Sequence, residues 1–80
     1  MQLPEIKRLT ESFTLEQLRA AEEALMNEAP LAIEVNGKDE GEQLTHILAA
    51  IDILEDMQKN GTDARTALRN YTQRVRNSIN

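Results

Sequence analysis

The stretch from Glu40 to Asn60 constrains this chain more than any other. Its apolar residues surround most of a helix. Leu44, Ile47, Leu48, Ile51 and Leu54 share one face at about 100° per residue, while Ala49, Ala50, Ile53 and Met57 cover much of the opposite side. A helix apolar nearly all round does not lie on a surface; it sits at the centre of a bundle or in an interface. Its ends are marked as well. Asp39 and Glu42 have capping-box spacing, acids cluster at the positive end of the dipole, and Gly61 supplies a stop.

Three further helices are expected around it. Leu3, Ile6, Leu9 and Phe13 form one stripe over a helix from Pro4 to Ser12, with Pro4 in the first turn, where a missing N–H costs nothing. Thr14 and Gln17 have the Thr-x-x-Gln form of a capping box and open a second helix carrying Leu15, Leu18, Ala21 and Leu25. Pro30 disfavours helical geometry at Ala29, so this helix ends near Asn27 or Glu28. Thr62 and Asp63 start the last helix, with Ala64, Leu68, Tyr71, Val75 and Ile79 as its stripe. Between the second and third helices, Leu31, Ile33 and Val35 alternate with Ala32 and Glu34 up to Asn36-Gly37, a strand-like signal ending on a turn dipeptide. Lys38 to Gly41 cannot form the other arm of a hairpin. Residues 31–35 are therefore either an extended connector laid on the helices or an edge that pairs with another chain.

The fold class is thus all-α: one domain, residues 1–80, a small bundle of about four helices with one extended segment near residues 31–35. Of 32 apolar residues nine are alanine, leaving 23 larger side chains for a core. A domain of this size buries only about 60% of its unfolded surface, and there is no cysteine to add a disulfide or a thiolate-bound metal. A second chain is the remaining remedy. A homodimer is expected, with Ile33, Val35, Ala50, Ile53 and Met57 as its interface, and Ile53→Asp is then expected to separate the copies. The longest apolar run, Ile47 to Ile51, is too short to span a membrane, and MQLPEIKRL lacks the apolar core of a signal peptide. A cytoplasmic protein with no membrane contact is expected.

The opening MQLPEIKRL, the helix closing on Met57-Gln58-Lys59-Asn60-Gly61 and the ending Arg74-Val75-Arg76-Asn77-Ser78-Ile79 resemble a family of short bacterial all-helical proteins known only as a domain of unknown function. The resemblance brings no catalytic residue. It implies a redox-linked accessory role beside thioredoxin-like and peroxiredoxin-like proteins, in which a chain without cysteine does no thiol chemistry of its own.

Candidate chemistry is sparse. His46, the single histidine, lies one turn after Glu42; the pair offers two metal ligands, with a second chain needed for the rest, or a pH-sensitive contact. The default for such a residue is a structural histidine. Asp52, Glu55 and Asp56 form an acidic cluster, yet paired-carboxylate chemistry needs opposed acids around a cavity, and one helix face is by default solvated. Charge is uneven: residues 61–80 hold four arginines against Asp63, net +3, whereas residues 1–60 hold 13 acids against five bases, net −8. The basic last helix admits nucleic-acid binding, which the acidity of the rest and the two aromatic residues disfavour. The expected function is a non-catalytic protein–protein interaction or accessory role, without cofactor. The alternatives are a metal or small-molecule site at a subunit interface around Glu42 and His46, and nucleic-acid binding through the arginine-rich helix.

Overall fold

The computed structural model describes residues 2–79, with side chains for residues 2–77. Four helices are present, α1 (Leu3–Ser12), α2 (Leu15–Met26), α3 (Glu40–Asn60) and α4 (Ala64–Ile79), and no strand occurs among the described residues. Local chemistry sets most of the ends. The Gln17 N–H donates to Thr14 Oγ1 at 3.2 Å and the Thr14 N–H to Gln17 Oε1 at 2.9 Å, the expected capping box. At α3 the Glu42 N–H donates to Asp39 Oδ1 at 2.8 Å, but the Glu42 carboxylate reaches the Lys38 N–H, at 2.9 Å, one residue ahead of the cap. Gly61, with φ 67°, closes α3, and Asp63 Oδ1 accepts the Thr66 N–H at 2.7 Å to start α4.

The end of α2 falls where expected, through a different cause. Its last helical residue is Met26, and Glu28 adopts φ 55°, the left-handed region. The Glu28 N–H donates to the Leu25 carbonyl and the Ala29 N–H to the Ala24 carbonyl, at 3.2 and 2.8 Å. This is a Schellman closure with glutamate where glycine is usual. The chain has therefore left the helix before Pro30.

The other three helices all pack on α3 and hardly on one another. Adjacent alanines on α3 look into two separate clusters. Ala50 joins Leu9, Leu18, Ala21, Val35, Ile47 and Ile51, toward α1 and α2, while Ala49 joins Ile6, Ile53 and Ala67, toward α1 and α4. Most of the apolar circumference of α3 is thereby covered by its own chain, although Leu48, expected on the buried face, is 44% exposed. Val35, Ala50 and Ile53 are buried, and Met57 and Ile33 are half-buried against the same clusters. The reason for expecting a homodimer through these residues is met inside one chain. Among the described side chains of α4 the fully buried one is Ala67, not a member of the expected stripe, and the side chain of Ile79 lies outside the described residues.

Residues 31–35 correct the sequence expectation. They form neither a strand nor an unpaired edge, because side chains take the place of a neighbouring strand. Arg8 Nη2 donates to the Glu34 carbonyl at 2.7 Å, Gln43 Nε2 to the Val35 carbonyl at 2.9 Å, and His46 Nδ1 lies 2.8 Å from the Asn36 carbonyl. Three consecutive carbonyls that would call for a β-ladder are satisfied from α1 and α3. Gly37 follows at a point of close approach. A Cβ there would come within 2.9 Å of the Gln43 backbone nitrogen and of its Cγ. Gly37→Ala is accordingly expected to push the segment off α3 and lower stability by about 1–3 kcal/mol. Urea unfolding checks this; an unchanged midpoint would show that the approach is not close in solution.

Candidate functional site

Glu42 and His46 share the first half of α3, but the fold uses both for structure. His46 is fully buried; its Nε2 accepts the Gln2 N–H at 3.0 Å, so the ring proton sits on Nδ1 and is donated to the Asn36 carbonyl. No ring lone pair is left for a metal. Glu42 is held on the Lys38 N–H, which also keeps its carboxyl below the usual carboxylate range. Among the described residues, no group of three or more His, Cys, Asp or Glu side chains is placed to hold a metal ion.

A second buried polar node was not anticipated from the sequence. Glu5, 5% exposed, receives a two-pronged contact from Arg8, Nε to Oε1 at 2.8 Å and Nη2 to Oε2 at 2.7 Å, and also accepts the Asn36 N–H and amide at 2.9 and 3.0 Å. The Arg8 guanidinium first, with Asn36 assisting against the cost of burial, holds the Glu5 carboxyl at about 2. Glu5 and Arg8 do stand at i, i+3, a spacing visible in the sequence. Their meeting with Asn36, 31 residues away from Glu5, is not.

The acidic cluster is drawn apart. Asp52 pairs with Arg74 of α4 at 2.9 Å and Glu55 with Arg19 of α2 at 2.5 Å. Asp56 accepts from the Asn60 and Asn70 amides at 2.7 and 3.5 Å, and the Asn60 bond, first among the causes, lowers its pKa. These acids border an open groove of about 860 Å³ between the second half of α3 and α4. Each is clipped to a neighbouring helix or to its own, and no two face each other across it as an acid/base pair.

The basic helix splits in two. Arg74 turns to Asp52 and also lies over the Tyr71 ring, 5.9 Å from its centroid. Arg65, Arg69 and Arg76 line another surface with Leu68 and Thr72 of α4 and Leu3 of α1, around a groove of about 340 Å³. All three arginines are exposed, and none makes an ion pair or side-chain hydrogen bond with a described residue. Asp63 is the acid whose charge is felt by Arg65 and Arg69, and its carboxylate is occupied at the helix start. Leu3 is 40% exposed, so the stripe residue expected in the core forms part of the groove. The surface combines a short apolar floor with three guanidiniums, each able to grip a carboxylate with two N–H groups.

Among the described residues, no helix is long and apolar enough to cross a membrane. No curated protein and no solved structure matches the chain. A family model does: residues 1–80 match DUF6952, a family of unknown function, and the chain belongs to that family.

Proposed function

We propose that this member of a family without an assigned activity is a non-catalytic accessory module that binds an acidic, amphipathic segment of another protein along the outer face of α4. The observation that carries the reading is the set Arg65, Arg69 and Arg76, exposed, in no ion pair with a described residue, and bordering Leu3 and Leu68. The remaining arginines, Arg8, Arg19 and Arg74, are all engaged by carboxylates of the fold. From Arg65 to Arg76 the helix rises about 16 Å, three turns, which suits a helical or extended segment with acids every three to four residues around one or two leucines. Charge complementarity favours such a segment over a nucleic acid. Residues 1–60 carry a net −8 that repels a long polyanion, and Tyr71 packs against the core beneath Arg74 and offers no platform for a base.

The test is a titration at low ionic strength with a synthetic peptide of that pattern, beside a single-stranded DNA and an RNA oligonucleotide. The peptide is expected to bind, and the doubly reversed variant Arg65→Glu/Arg69→Glu to weaken it more than about tenfold with no loss of helicity. Preference for an oligonucleotide, self-association of the chain through this face, or an affinity indifferent to the reversal would each overturn the reading.

A further inference from the structure

The three arginines of the α4 groove are unevenly spaced, and the spacing limits what can lie there. Arg65 and Arg69 are one turn apart, Arg69 and Arg76 two, so along the helix axis they stand about 6 Å and about 10 Å from one another. Between Arg69 and Arg76 the groove is lined by Thr72 and Gln73, neither charged, and the Thr72 hydroxyl is already donated to the Leu68 carbonyl at 2.8 Å. Arg65, Leu68, Arg69, Thr72 and Arg76 fall at i, i+3, i+4, i+7 and i+11, the stripe that one helix shows to another. It runs beside the stripe by which α4 meets α3. Leu68 is common to both, since it also packs on the cluster of Ile53 and Ala67.

Resting on the reading of the α4 groove given above, we propose that the partner segment is a helix lying antiparallel to α4, with acids at its positions i, i+7 and i+11 and apolar residues at i+4 and i+8. An extended segment draws its affinity from main-chain hydrogen bonds to a sheet edge, and no strand occurs among the described residues. A helix satisfies its own backbone and offers side chains alone, which is what this surface can meet. Direction follows from the ends of α4. Arg65 and Arg69 lie in its first two turns, at the positive end of its dipole, so the negative, C-terminal end of the partner helix belongs beside them. Counted along such a helix, the residues opposite Arg76, Thr72, Arg69, Leu68 and Arg65 are i, i+4, i+7, i+8 and i+11: acid, apolar, acid, apolar, acid. A parallel helix needs the mirror order, with acids at i, i+4 and i+11. The chain's own α2 sets Glu16 and Glu23 seven apart, but Ala20 and Ala24 stand at the apolar places and Asn27 at the third acid, so a second copy is the poorer fit.

The experiment titrates the full chain at low ionic strength with two synthetic peptides of one composition, beside the evenly spaced acidic peptide of the preceding test. One carries glutamates at i, i+7 and i+11 and leucines at i+4 and i+8; the other carries them in the mirror order. The first is expected to bind more than about tenfold tighter than the second and to gain helical circular dichroism on mixing. With a spin label at its N-terminus, it is expected to broaden the Arg76 amide more than the Arg65 amide. If the evenly spaced peptide binds while the two isomers bind alike or the mirror order binds tighter, the antiparallel register is wrong and the groove stands. A bound first peptide that gains no helix, or whose label broadens Arg65 more than Arg76, overturns the register in the same way. If none of the three peptides binds, the groove reading fails and the register falls with it.

Discussion

Ile53→Asp is expected to unfold the chain, not to separate two folded copies. Ile53 is 1% exposed, in a cluster with Ile6, Ala49 and Ala67, bordered by Met57, Leu68 and Tyr71, with no basic group among them. Shortening an isoleucine in such a place costs about 2–5 kcal/mol. Leaving an unpaired carboxylate there adds several more. The sum reaches the whole stability of a domain this size, about 4–12 kcal/mol at 0.05–0.15 kcal/mol per residue. Far-UV circular dichroism should show the helical signal lost, whereas Ile53→Val should remain folded and lose about 1 kcal/mol. A folded Ile53→Asp protein of halved mass would mean that Ile53 lies between chains, as the sequence had suggested, and would refute the packing of α3 described above.

The second large effect belongs to Glu5 and has a sign that pH reveals. A carboxyl held at about 2 in the folded chain against 4.5 unfolded contributes on the order of 3 kcal/mol at neutral pH. Because the folded value is the lower one, the contribution is complete above the unfolded value and disappears as the pH falls from about 4.5 toward 2. Glu5→Gln removes the charge while keeping the shape. It should cost about 2–3 kcal/mol at pH 7, and its deficit relative to the unaltered chain should narrow steadily as the solution is acidified. Urea unfolding at a series of pH values measures both. A deficit that stays constant down to pH 2 would mean that the Arg8 and Asn36 contacts do not hold the Glu5 charge in solution. The loss should be felt first between residues 34 and 36, where Glu5 accepts from Asn36 and Arg8 passes on to the Glu34 carbonyl.

What could be read from the sequence is what neighbours in sequence decide. Thr14 and Gln17, Asp39 and Glu42, and Gly61 act within a turn of themselves, so their caps were legible. The circumference of α3 was legible as a centre, although not which chain supplies the cover: that needs Ala49 and Ala50 to be seen in two different clusters, one shared with α2 and the other with α4. The alternation at Leu31, Ile33 and Val35 did report burial, since these residues are buried or half-buried while Ala32 and Glu34 are exposed. It was silent on hydrogen bonding, because the donors are side chains as distant as Arg8, 26 residues from Glu34. Charge counting marked α4 as basic. It could not tell Arg74, which pairs with Asp52, from Arg65, Arg69 and Arg76, which form no ion pair with a described residue, nor bring Leu3 from the other end of the chain to lie among them.

The most direct test of the central claim follows backbone amide shifts while the acidic amphipathic peptide is added to the isotopically labelled chain. Binding along the outer face of α4 predicts that the shifts concentrate at Leu3, Arg65, Leu68, Arg69, Thr72 and Arg76 and vanish in the Arg65→Glu/Arg69→Glu variant. Shifts confined to the opposite side, around Asp52, Asp56 and Asn60, or no shifts at low ionic strength, would contradict it.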